Sequence, residues 1–160
     1  MLSRKKFIKQ AALSAGAVIA GPALADAAEY FNPLRLTILH TNDTHSRLEP
    51  FPMDGGRNQG LGGIAGRTEI INRIRSEEEH VMLFDAGDIF QGTPYFNIYK
   101  GEPEIKAMSA MRYDACTIGN HDFDAGMENL ATQLTSHAKF PMLVCNYDFT
   151  GTPMEFKTQP

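Results

Sequence analysis

Three short segments gather oxygen and imidazole donors: Asp43-Thr44-His45, Asp88 after Gly87, and Asn120-His121-Asp122-Phe123-Asp124. Each follows an apolar run, namely Leu36 to Leu39, Val81 to Phe84, and Ala115 to Ile118. Such runs predict buried strands, and open α/β sheets bind ligands outside the carboxyl ends of their strands. Carboxylate, imidazole and amide groups would therefore meet at one edge with no thiolate among them. That donor set suits divalent Zn, Mn or Fe. Asp43 and His45, spaced i, i+2, point the same way from an extended segment and would hold one ion. Asn120 would serve a second, and Asp88, central between the other strand ends, would bridge the two. A pair of ions about 3.5 to 4 Å apart clamps the attacking and leaving oxygens of a phosphoryl displacement. The chemistry predicted is phosphate-ester hydrolysis. His121 diverges from its neighbour Asn120 and could face the leaving oxygen, with Asp124 holding its other ring nitrogen. That pair would act as general acid.

The elements that must position these groups alternate. A helix is predicted over 62–76, with Ile64, Ile70, Ile71 and Ile74 on its apolar face and Arg67, Arg73 and Arg75 outside it. Arg67 could reach a phosphate; a solvated or ion-paired helix position is the competing reading. Thr93-Pro94 opens a helical turn, and Pro103 opens a helix carrying Ile105, Met108 and Met111 into the core. Residues 127–137 form a further helix that His137 could cap, and 140–145 a fourth strand. Alternating strands and helices predict parallel pairing with right-handed crossovers. Residues 48–60, with their prolines and glycines, form a loop beside Asp43 and His45. Glu77 to Glu79 make a solvated turn, and His80 opens its strand at the end away from Asp88. His40 is expected to pack beneath the site, and Cys116 and Cys145 to be buried free thiols.

The segments Leu39 to His45, Asp85 to Thr93 and Ile118 to Asp124 resemble the first three motifs of calcineurin-like metallophosphoesterases. Gly62 to Arg67 and Val144 to Phe149 resemble the exported 5'-nucleotidase branch, and the likeness covers roughly residues 35 to 150. The resemblance implies an α/β fold, a layered α/β/β/α sandwich of which these residues supply the N-terminal βαβ half. It implies Asp43, His45 and Asp88 as ligands of one metal, Asp88 and Asn120 of a second, and His121 with Asp124 as a catalytic dyad. The implied substrate is a nucleotide or other phosphate monoester. The family's later Gly-His-x-His motif and C-terminal substrate-binding domain are not among these residues. Residues 35–160 are therefore expected to form the N-terminal part of a catalytic domain. Two other readings compete: a non-catalytic remnant, or the same scaffold acting on cyclic phosphodiesters, nucleotide sugars or sulfur esters.

Residues 1–25 read as an export signal: Arg4, Lys5, Lys6 and Lys9, an apolar stretch from Ala11 to Ala20, then Ala23-Leu24-Ala25 for cleavage. Lys5 stands where a twin-arginine signal has its second arginine, so both the Tat and Sec routes fit. The expected destination is the periplasm or cell envelope, with residues 26–34 as linker. The apolar stretch is too short to span a bilayer, and no later segment is long enough. Those four basic residues precede any acid, so cleavage takes the net charge from -4 to -8. An acidic body argues against nucleic-acid binding and leaves attraction of a phosphate to metal.

Overall fold

The structure, a computed structural model, describes residues 34–160; the expected signal and most of the linker lie outside the described residues. Two five-residue strands, β1 (Thr37–Thr41) and β2 (Val81–Asp85), pair in parallel from Thr37 against Val81 to Thr41 against Asp85. The two-residue β3 (Ala115–Cys116) joins the other edge of β2, giving the order β1-β2-β3. The strand that ends before Asp88 is thus the middle one.

Between the strands run α1 (Ile64–Glu77), α2 (Pro94–Tyr99) and α3 (Glu102–Met111), and α4 (Met127–His137) follows a single 3-10 turn over His121–Phe123. One core cluster joins Leu83 of β2 to Ile71, Phe96, Ile105, Met108, Leu130 and Leu134 of the helices. Strand alternation sends Leu83 and Asp85 into that core. The opposite face leaves Ile38 59% and Met82 36% exposed. A sheet covered by helices on one side with an open apolar second side is the half of a layered sandwich expected from the sequence.

Several local expectations need correcting. His40 does not pack beneath the site: it shares the open face with Ile38 and is exposed. Ile70 is exposed, because the helical stripe through Ile64, Ile71 and Ile74 passes one position away from it. Arg67 and Arg75 occupy that stripe instead and are half-buried. Arg75 donates to the carbonyls of Met111 and Arg112, both at 2.6 Å, satisfying the C-terminal end of α3. The segment 140–145 forms no full strand. Single bridges join Met142 to Cys116 and Leu143 to Gln159, and Pro141 brings no N–H for a longer ladder. Beyond them Cys145 is exposed, while Cys116 is buried; both are free thiols.

Two outcomes follow. Replacing Leu130, which has no exposed surface, by Ala costs about 3 kcal/mol in urea denaturation, whereas Ile70→Ala costs under about 1. Ellman's reagent titrates Cys145 in the native protein and leaves Cys116, whose thiol is pushed far above its ordinary pKa by burial and by Asp85.

Candidate metal centre

The donors sit on loops that leave the carboxyl ends of the strands. Residues 43–46 run beside 87–89: the Asp43 N–H donates to the Gly87 carbonyl at 3.0 Å, His45 to Asp88 at 3.1 Å and Ser46 to Ile89 at 2.8 Å. The segment is not extended, as the i, i+2 spacing led one to expect. Asp43, His45 and Ser46 have φ of 50°, 44° and 52°, in the left-handed region that costs an ordinary residue energy. The turn, not a pleat, brings the two side chains to one side.

Asp43, His45 and Asp88 each offer one donor atom, all within 4.8 Å of one another. His45 Nδ1 lies 3.2 Å from the Phe90 carbonyl, which can only accept, so this nitrogen carries the proton. Nε2, on the far side of the ring, stands 3.7 Å from Asp43 Oδ1 and 4.0 Å from Asp88 Oδ2. Atoms about 2.1 Å from one shared ion lie roughly 3 to 3.4 Å apart, so a small inward movement closes this set. Asn42 donates its side-chain amide to Asp43 Oδ2, leaving Oδ1 on the His45 side.

The second group lies alongside. His121 Nδ1 is 2.9 Å from Asp124 Oδ2, which also accepts from Gln91 Nε2 at 3.3 Å. The His121 ring meets the His45 ring edge to face, with centroids 5.3 Å apart. The hydrogen bond to Asp124, with the charges of Asp124 and Asp88, lifts the His121 pKa against desolvation. The same bond holds Asp124 below its ordinary value. Asn120 is exposed at the start of the 3-10 turn, and the backbone N–H of its neighbour His121 donates to Asp88 Oδ1 at 2.9 Å. The expected residues therefore assemble as a triad and a dyad, with Asn120 tied to Asp88 through the backbone beside it.

Two parts of the site were not assigned from sequence. Asp122, with no exposed surface, accepts from the N–H groups of Ile89 at 2.8 Å, Phe90 at 3.1 Å, Asp88 at 3.1 Å and Gly119 at 2.8 Å. Burial raises its pKa, and those four donors oppose the rise. A second acid after Asn-His was the visible signal, but nothing in it distinguishes an inward carboxylate from a ligand. Gln91 is the other part, and an amide side chain in a loop gives no sign of its partner. Beneath them, buried Asp85 accepts from Thr41 Oγ1 at 2.5 Å and Gly87 N–H at 2.8 Å, joining the ends of β1 and β2. Half-buried Arg67 lies near enough for its charge to oppose the rise that burial gives the Asp85 and Tyr113 pKa values. A surface groove of about 510 Å³, lined by Leu134, Phe140 and Phe156 among others, holds none of the donors.

Residues 36–155 match the family model for calcineurin-like phosphoesterases. The chain belongs to the calcineurin-like phosphoesterase family. Within it, the chain is 47% identical over 114 residues to a snake venom 5'-nucleotidase of Crotalus adamanteus, covering 69% of this chain and 19% of that protein. It is 46% identical over 120 residues to the 5'-nucleotidase of Homo sapiens, covering 72% and 21%. The fold superposes on a 5'-nucleotidase precursor from Thermus thermophilus with a TM-score of 0.70 at 38% identity, over 77% of this chain and 24% of that one. The chain spans about a fifth of the length of the curated relatives it matches.

Gly119 packs against the triad so closely that a Cβ there would stand 2.0 Å from Asp88 Oδ1. Gly119→Ala is expected to displace Asp88 and lower Mn2+ affinity at least tenfold by calorimetry. Asp122→Asn presents an amide to N–H donors and is expected to lower stability by about 2 to 4 kcal/mol in chemical denaturation.

Proposed function

We propose that this chain is the N-terminal part of the catalytic domain of an exported phosphohydrolase that depends on two divalent metals, Zn, Mn or Fe. It would release phosphate from nucleoside monophosphates. The observation that carries this reading is the convergence of Asp43, His45 and Asp88 donors beside the hydrogen-bonded His121–Asp124 pair. The donor chemistry fits a metal: two carboxylates and an imidazole whose tautomer is fixed with Nε2 toward them. In this reading Asp43, His45 and Asp88 hold one ion, and Asp88 with Asn120 contributes to the second. Bound divalent ions supply Lewis acidity at a phosphoryl oxygen and lower the pKa of a water.

The remaining steps belong to the chain's own side chains. Asp124 fixes the His121 tautomer with the proton on Nδ1 and favours the imidazolium. Held so, His121 can give a proton from Nε2 to the oxygen of the departing alcohol. Gln91, bonded to Asp124, keeps that carboxylate aligned. Export and a periplasmic or envelope location are supported by the basic, apolar and small-residue sequence of 1–25 and by a venom protein among the relatives. Among the described residues no helix is long and apolar enough to cross a membrane. The C-terminal half of the domain and a substrate-binding domain are proposed from the share of the relatives that the chain leaves uncovered.

The test is phosphate release by the full-length protein from AMP, bis-p-nitrophenyl phosphate and UDP-glucose with Mn2+ or Zn2+. AMP is expected to be hydrolysed, EDTA to abolish turnover, and Asp88→Asn to lower kcat at least about 1,000-fold, as order-of-magnitude effects of losing metal chemistry. His121→Ala is expected to lower kcat roughly 100-fold with metal content retained. Loss of metal in that variant would remove His121 from the acid role, and no phosphate from any substrate would refute the activity.

A further inference from the structure

The face of α3 that packs into the core carries one residue of the wrong polarity. Glu104 lines up with Ile105, Met108 and Met111, which are buried, and is itself only 3% exposed. Among the described residues, neither oxygen of its carboxyl group has a hydrogen-bond partner. Ser46, 1% exposed, has an equally unpartnered Oγ. Both residues line one small, partly open pocket of about 10 Å³, with Thr44, Arg67 and Ile89 on its wall. Burying a carboxyl without partners costs several kcal/mol, so an acid persists on an apolar stripe only if something pairs with it. Arg67 does not: its charge acts on Asp85 and Tyr113. The Ser46 hydroxyl is near enough to oppose the effect of burial on Glu104, without a direct hydrogen bond of normal geometry. The cavity matches one water, and three orphaned oxygens give that water the partners it needs.

Ser46 is the last residue of the left-handed turn that carries His45. Its N–H is held by Ile89, and its carbonyl accepts from Thr93 Oγ1 at 2.9 Å. The side chain is the remaining point of attachment, and the turn is strained at two consecutive ordinary residues. We propose that Glu104 is a positioning residue: through one buried water shared with Ser46 Oγ, it holds the left-handed His45–Ser46 turn and keeps His45 Nε2 aimed at Asp43 and Asp88. It reaches the metal centre from below, through α3, and touches neither metal nor substrate. The inference rests on the metal-centre reading only for its consequence; its structural content is the His45 ring.

Two readouts test it in the full-length protein: Mn2+ affinity, and the His45 tautomer by 15N NMR of the metal-free, histidine-labelled protein. Glu104→Gln keeps a polar partner for the water and is expected to bind Mn2+ within about threefold of wild type. Glu104→Met and Ser46→Ala are each expected to weaken Mn2+ about tenfold, the lower end for lost support of a ligand. Both are expected to lose the single Nδ1–H tautomer of His45. The double variant should be no weaker than either single one, because both remove the same bridge. Glu104→Met should not lower the thermal midpoint, since an apolar side chain suits that stripe. Wild-type Mn2+ affinity and a single tautomer in Glu104→Met, or additive losses in the double variant, would overturn the proposal. Should Glu104→Met not fold, Ser46→Ala, which removes one hydroxyl, decides by the same readouts. If wild type takes up no Mn2+, the metal-centre reading fails while the His45 tautomer still decides this one.

Discussion

The site depends on a single buried carboxylate that need not touch any ligand. Asp122 gathers the backbone N–H groups of Asp88, Ile89, Phe90 and Gly119. Two loops that leave adjacent strands are thereby locked together at one point. Each N–H would otherwise face a protein interior without a partner, at a cost of about 1 to 3 kcal/mol. A carboxylate that accepts four hydrogen bonds is the compact way to satisfy them, and it fixes Asp88 relative to His121. The close passage of Gly119 past Asp88 depends on the same clamp, because no other residue leaves room there.

Around that clamp the left-handed turn of 43–46 is secured by hydrogen bonds to 87–89, so three separate loops behave as one rigid frame. Rigidity has a chemical purpose. His45 presents a defined nitrogen because Nδ1 is committed to a backbone carbonyl, and His121 presents another because Nδ1 is committed to Asp124. Two imidazoles 5.3 Å apart are thus set by different hydrogen-bond partners.

The strand ends and the helices could be read from apolar runs, prolines and glycines, because those signals are local. α4 runs over Met127–His137, the bounds expected, and Asp88 follows the central strand. Asp43, His45 and Asp88 were legible as a group because three sequence motifs pointed to one sheet edge. What escaped was set by tertiary contacts. Nothing in Asn-His-Asp says that the last acid turns inward, and nothing near His40 says that its face of the sheet stays open. Arg75 reads as a solvated helix residue until the carbonyl end of α3 is found beside it. Glu104 was visible as an acid between apolar neighbours, but its partner Ser46 is 58 positions away in sequence.

The central claim is that the Asp43, His45 and Asp88 donors hold a metal ion. It is tested most directly by anomalous diffraction at the Mn absorption edge from crystals of the full-length protein grown with Mn2+. A peak within bonding distance of Asp43 Oδ1, His45 Nε2 and Asp88 Oδ2 is the predicted result. Ordered density for all three side chains with no peak between them, under conditions where the protein hydrolyses AMP, would contradict it.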